Sequence, residues 1–313
     1  MYTLRRPQVG ARVGSGKGGW DRPPTSGFVP GHLGVGGGAP TDIPRHGETT
    51  VVPYVDTHCH LDHHDGLSTR DQVLRAREAD VTTMITVGTD MASSTQAVAT
   101  ARRFAGVWAA VGVHPNDAME ATPHVLEVIE RLAQDEVTVA VGETGLDYYR
   151  DHTTPSQQEA SFRAHIEIAK RQDRALVIHC RDAWEDCLDI LVAQGAPERV
   201  VMHCFSGDVE VTRRCADAGW YLSYAGNVTF KNASVLREAA AATPLELLLT
   251  ETDAPFLTPH PHRGEPNDPS YVPLTLRTLA EVQGREVEEV RDAVLTNARR
   301  AFRLPSETLS DPE

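Results

Sequence analysis

The sequence predicts an α/β chain folded as a (β/α)8 TIM barrel. Eight short apolar, β-branched runs recur after residue 50. Helix-like stretches lie between them, so strand and helix alternate along the chain. Ligand-type polar residues close six of the eight runs, which is where such a barrel keeps its chemistry. A doubly wound open sheet shares the alternation, because alternation alone cannot show closure.

The eight runs are Val51–Asp56, Thr82–Gly88, Val107–Val113, Val137–Gly142, Ala175–His179, Val200–His203, Trp220–Tyr224 and Leu245–Thr250. Each is nearly continuous in hydrophobicity, as expected of strands buried on both faces. Helical spacing marks Thr69–Ala79, Ser93–Phe104, Pro123–Gln134, Ser156–Gln172, Trp184–Ala193, Glu210–Ala218 and Ala233–Ala242. A last helix spans Val287–Phe302, and a polar tail, 305–313, ends the chain. The barrel is therefore assigned to residues 51–304, close to the ~250 residues typical of the architecture.

Residues 1–50 differ in kind. They hold 12 of the 24 glycines and 6 of the 20 prolines, and their apolar side chains are too few to offset the entropy of ordering them. A disordered extension is expected there. The Gly31–Gly38 stretch lacks the preceding strand and following helix that a phosphate loop needs.

Net charge is −14, with +3 in residues 1–50 and −17 in the remainder. A protein that wraps duplex nucleic acid presents a basic face, so this chain would engage nucleic acid at a local site only. No apolar run approaches the ~20 residues of a membrane helix. The five cysteines are odd in number and form no CxxC, which argues against a disulfide framework and for a reducing, cytoplasmic setting. No apolar stretch follows Arg5 and Arg6, so no secretory or twin-arginine signal is expected.

The chemistry concentrates at the run ends. The first closes on His58-Cys59-His60, and residues two apart on a strand face one side, so both imidazoles can converge on one ion. Others close on His114-Pro115, on Glu143 through Asp147, on His179-Cys180-Arg181, on His203-Cys204, and on Glu251-Thr252-Asp253. One strand-end histidine is ordinarily a hydrogen-bonded structural residue. Six such endings on one rim point instead to a metal centre. The mixture of imidazole and carboxylate suits zinc, manganese or iron and also admits magnesium. The set is too large for one tetrahedral structural zinc and suits two ions bridged by a carboxylate. Cys59, Cys180 and Cys204 alternate away from the histidines and read as small core side chains.

These segments resemble one family. VDTHCHLD, ITVGTD, VGVHPND, VGETGLDYY, VIHCRDA, HCFSG, SYAGNVTFKNA, LLLTETDAPFLTP, HRGEPNDPSYV and NARRAFRL look like the TatD family of metal-dependent deoxyribonucleases, in order, from about residue 51 to 304. The resemblance implies two divalent ions (Mg2+, Mn2+ or Zn2+) and no organic cofactor. It implies that His58 and His60 hold the first ion, that Glu143 bridges, and that His179 and His203 hold the second. Asp253 would complete the first site and act as the base. One departure is Asn116, where many members carry a second histidine; it bears on substrate more than on metal. The activity expected is that of a metal-dependent deoxyribonuclease acting as a 3′→5′ exonuclease, and the acidic body favours single-stranded DNA or DNA ends over long duplex.

At the rim, His114, Arg181 and Arg263 are candidates to hold phosphate or base. Glu251 is expected behind a ligand histidine, orienting it, and Tyr148 and Tyr149 could stack on a base. A hydrolase of a small amide, lactone or phosphoester on the same scaffold is the alternative. Such relatives commonly place a modified lysine where this chain has Glu143. A non-catalytic binding protein would be expected to have lost ligands, and here the set is whole.

Overall fold

The computed structural model describes residues 52–63 and 66–305. The extension expected over 1–50, Val51 and the tail from 306 lie outside the described residues. Eight strands form the wall: β1 (Tyr54–Cys59), β2 (Val81–Val87), β3 (Val107–Val111), β4 (Thr138–Asp147), β5 (Ala175–Arg181), β6 (Val200–Met202), β7 (Tyr221–Tyr224) and β8 (Leu248–Thr250). All pair in parallel, each with its neighbour in sequence.

Around them run α1 (Thr69–Glu78), α2 (Met91–Arg103), α3 (Pro123–Ala133), α4 (Pro155–Gln172), α5 (Trp184–Gln194), α6 (Val209–Asp217), α7 (Ser234–Ala242), α8 (Val272–Gln283) and α9 (Val287–Phe302). Local chemistry sets their starts. Asp90 with Ser93, and Thr154 with Gln157, form capping boxes at α2 and α4, each satisfying otherwise orphaned N–H groups. The helices cover the strands with side chains such as Ile129, Phe162, Ile166 and Leu279, all essentially inaccessible to water. No helix among the described residues is long and apolar enough to cross a membrane.

Closure excludes the open sheet. β1 and β8 share no regular ladder; a parallel bridge joins Cys59 to Ala254 beyond the end of β8. His60 N–H donates to the Ala254 carbonyl at 2.7 Å, and Asp253 N–H to the His58 carbonyl at 2.9 Å. Side chains complete the seam. Thr57 Oγ1 donates to the Thr250 carbonyl at 3.0 Å, and Asp56 accepts from Thr252 N–H at 2.9 Å and from Thr252 Oγ1 at 2.5 Å.

Four elements differ from the sequence reading: the first strand runs over Tyr54–Cys59 and not Val51–Asp56, Leu245–Leu247 of the eighth run is a 3-10 turn, and the last helical region and the fourth strand depart further. Helix α8 was not anticipated, although Val272, Thr275, Leu276, Leu279 and Ala280 form a buried helical stripe between a proline in its first turn and a left-handed Gly284 at its end. The fourth strand was expected to stop at Gly142 but continues to Asp147. Its pairing moves from Val141 opposite Leu176 to Thr144 opposite Ile178, so β4 carries one extra residue there. Such a bulge re-aims a side chain, and here it sits at Gly142 and Glu143. Gly142 has φ +140°, and a Cβ on it would lie 2.4 Å from the Val177 carbonyl oxygen, so no larger residue fits the bulge.

Candidate metal centre

The six residues read as ligands meet at the C-terminal mouth of the barrel. Glu143, re-aimed by the bulge, stands in the middle, with its side chain only 4% exposed. Its two oxygens face different partners. Oε2 lies 3.4 Å from His58 Nε2 and 3.8 Å from His60 Nε2. Oε1 lies 3.0 Å from His179 Nδ1 and 3.0 Å from His203 Nε2. Asp253 Oδ1 closes the first group, 3.8 Å from His58 Nε2 and 3.6 Å from His60 Nε2. Asp253 has φ +55°, a left-handed turn within the seam.

Hydrogen bonds behind the rings set their protonation. His60 Nδ1 faces the Val87 carbonyl at 2.9 Å and must donate to it. His203 Nδ1 donates to Glu251 Oε1 at 3.0 Å, and His179 Nε2 to Asp147 Oδ2 at 3.2 Å. In the neutral form of each ring, the nitrogen facing the centre then carries a lone pair. Lone pairs aimed at carboxylate oxygens repel unless a cation stands between them. His58 Nε2 and His60 Nε2 are 3.3 Å apart, close to the ~3.4 Å edge of a tetrahedron with ~2.1 Å metal–nitrogen bonds. The donors therefore fit divalent metal. Groups with this convergence are His58, His60 and Glu143; His58, His203 and Asp253; and His114, Glu143 and His179.

His114 differs from the others. Its Nδ1 accepts from Asn116 N–H at 3.0 Å, so the neutral ring carries its proton on Nε2. That N–H points at Glu143 Oε1 from 3.4 Å. His114 thus presents a donor to the centre, as suits an anionic substrate oxygen. Its position is set by Val113 N–H, which donates to Nε2 of the buried His165 at 3.0 Å.

Charge follows from this packing. Burial pushes the Glu143 carboxyl up, but His203, His114 and His179 outweigh burial and hold it well below the usual carboxylate range. Burial likewise opposes ionisation of Asp253, and His60, His203 and His58 bring it below its ordinary value. Burial lowers His203, but Glu143 and Glu251 overcome that and raise it well above normal. His58, buried and stacked 3.8 Å from the His203 ring, is lowered by burial and then by that neighbour. The two carboxylates behind the rings and the pair in front make the site a strong attractor of positive charge, proton or metal.

The remaining candidates sit further out. Glu251, fully buried, accepts from Cys204 N–H at 2.7 Å as well as from His203, and so orients that ring. The Arg181 guanidinium carbon lies over the Tyr149 ring, 3.7 Å from its centroid, and that of Arg263 lies over Phe230 at 3.6 Å. Both are at the rim, and among the described residues neither side chain hydrogen-bonds or ion-pairs with the cluster. Tyr148 donates to Asp186 at 2.7 Å. Cys59 and Cys180 are buried as expected, but Cys204 is only partly buried, in a left-handed turn with φ +44°. All five cysteines are free. Sequence reasoning missed Asp147, Asp56 and His165. Asp147 stood inside the GLDYY segment, four residues after Glu143, where β-strand spacing turns it to the same side.

Together, the fold and the donor set define a metal-dependent barrel hydrolase. The chain belongs to the TatD family: the family described as TatD related DNase matches residues 55–303. It is 45% identical over 258 residues to a metal-dependent hydrolase, TatD, of Mycobacterium tuberculosis, covering 80% of this chain and 98% of that one. It is 37% identical to the 3′-5′ ssDNA/RNA exonuclease TatD of Klebsiella pneumoniae, over 74% of this chain and 90% of that one. The crystal structure of YjjV, a TatD homologue from Escherichia coli, superposes with a TM-score of 0.77 at 28% identity, covering 82% of this chain and all of the other.

Proposed function

We propose that this protein is a metal-dependent 3′→5′ exonuclease that hydrolyses phosphodiesters at single-stranded DNA ends, with two divalent ions held by His58, His60 and Asp253 on one side and His179 and His203 on the other. The observation that carries this reading is the division of Glu143, one oxygen facing each histidine pair. Relatives named 3′-5′ ssDNA/RNA exonuclease, at 37% identity in Klebsiella pneumoniae and in Erwinia billingiae, support the substrate.

Ions bound there would acidify water and neutralise charge on the phosphoryl oxygens. This chain's residues do the rest. Asp253, with its side chain 13% exposed, accepts the proton of the attacking water and passes it to the departing 3′ oxygen as the phosphorus–oxygen bond breaks. His114 gives its Nε2 proton to a nonbridging phosphate oxygen as a hydrogen bond. Arg181 attracts the phosphate of the neighbouring nucleotide. The −17 carried by residues 51–313 weakens hold on long duplex and leaves unpaired ends as the better substrate.

The test uses a 5′-labelled single-stranded oligonucleotide with Mn2+- or Mg2+-loaded protein. A ladder shortening from the 3′ end, abolished by EDTA and by Glu143→Ala, is expected. Internal cuts without a ladder would overturn the exonuclease, and equal rates on blunt duplex would overturn the single-strand preference.

A further inference from the structure

Among the described residues, large apolar side chains are unevenly exposed. Leu74, Val192 and Val235 project from the outer helices, while Met91, Met119, Tyr148, Tyr149 and Phe256 all follow the C-terminal ends of strands, on the rim that carries the metal ligands. Phe256 is 56% exposed and Tyr149 is 60% exposed. Such rings are costly to leave in water, and concentration at a functional mouth marks a surface that something covers.

The two rings are also placed at opposite ends of the centre. The Phe256 ring stands edge-on to His60, with centroids 6.1 Å apart, and Phe256 lies three residues after Asp253. Tyr149 is tied to the other end: its N–H donates to Asp147 Oδ1 at 3.0 Å, and Asp147 Oδ2 accepts from His179. One face of Tyr149 carries the Arg181 guanidinium. A flat cation on an aromatic ring is a surface on which a nucleobase stacks beside its own phosphate. Backbone contacts alone would need no rings here.

We infer that Phe256 and the Tyr149–Arg181 pair are stacking platforms for the two unpaired bases that flank the scissile phosphate, and that they select single strands over duplex. The inference rests on the nuclease reading for its substrate. In a duplex the inner base is stacked on both faces and the terminal base is held in its pair, so neither can turn onto its ring without breaking the helix. Each stacked base is worth about a tenfold change in affinity.

The experiment is a cycle between enzyme ring and substrate base, on Mn2+-loaded protein. One pair of oligonucleotides has a normal terminal base or an abasic sugar at that position; both also exist with a phosphorothioate 3′ linkage for binding by fluorescence anisotropy. Phe256→Ala should raise KM and Kd about tenfold on the normal strand, with kcat little changed. It should have no further effect on the abasic strand, because wild type has already lost the same contact there. Phe256→Tyr should restore binding. Tyr149→Ala should behave likewise with the abasic sugar one position inward. Additive losses from ring and base would overturn the platforms even while cleavage persists. Non-additive binding without any cleavage would uphold the platforms and sink the nuclease. No binding of either strand would sink both. Both rings are exposed, so truncation leaves the core intact.

Discussion

His58, His60 and Asp253 meet at the seam where the barrel closes, whereas His179 and His203 rise from β5 and β6 inside a regular ladder. The two sides differ less in burial than in support: His58 is fully buried, His60 is 5% exposed and Asp253 13% at the seam, against 18% for His179 and 3% for His203. The seam side is held by main chain and by Asp56. The ladder side is held by carboxylates behind its rings, Asp147 and Glu251. One half is thus made by tertiary closure, and its failure should appear first as lost stability. The other is made by local pairing and tuned by hydrogen bonds, and its failure should appear first as lost metal.

Asp56→Ala tests the first half of that contrast most severely. It strands three buried donors, His58 N–H, Thr252 N–H and Thr252 Oγ1, for a cost of about 4 kcal/mol. Burial pushes the Asp56 carboxyl up to about 8 against those donors, so it is largely neutral at pH 7. Asp56→Asn should therefore cost no more than about 1.5 kcal/mol. Urea denaturation of both variants reads the difference, and equal losses would remove the seam from the account.

His165 supports the other half through Val113, and its test is acid. The unfolded chain takes up a proton at His165 near the ordinary 6.5, while burial lowers the folded value to about 4. Between those values the unfolded state binds more protons. This contribution is therefore complete above pH 6.5 and is lost as the pH falls toward 4. The loss amounts to about 3 kcal/mol. His165→Gln should be less stable than wild type at pH 7, and that gap should narrow toward pH 4.5. A constant gap in urea melts across this range would refute a neutral accepting imidazole.

Glu251→Gln should have the smallest effect on folding. The amide oxygen still accepts from Cys204 N–H, but His203 loses its anionic partner, and metal affinity should fall about 10- to 100-fold. Metal content after graded chelation, read beside an unchanged melting curve, checks this. A drop in stability without metal loss would reverse the contrast.

The two halves were also unequally legible in sequence. Strand ends announce themselves because apolar runs stop at polar residues, so His58, His60, Glu143, His179, His203 and Asp253 could all be picked out. What holds them could not. Asp56 meets Thr252 across 196 positions, and only closure brings them together. The bulge at Glu143 left a signal in Gly142 and Gly145, but glycines alone do not say which way a strand turns a neighbour. His165 lies mid-helix, where an imidazole normally implies nothing beyond packing. Arg181 and Arg263 were legible as cations at the rim and Tyr149 as a ring able to stack on a base, but the seating of each arginine on a ring was not, because stacking depends on loops that sequence spacing does not place. Helix α8 was readable from its stripe and its end signals, and was missed because two helices rather than one follow the last strand.

Closure at Asp56 and Thr252 has a consequence for the order in which the molecule becomes competent. A ribosome releases the chain from its N-terminus, so five of the six central ligands emerge with β1 to β6 and wait. Asp253 arrives last, on the segment whose pairing with β1 shuts the wall. With Asp253 as the proposed base, hydrolytic power would be withheld from every shorter polypeptide until synthesis has passed that point, and a broken or stalled product would be left inert.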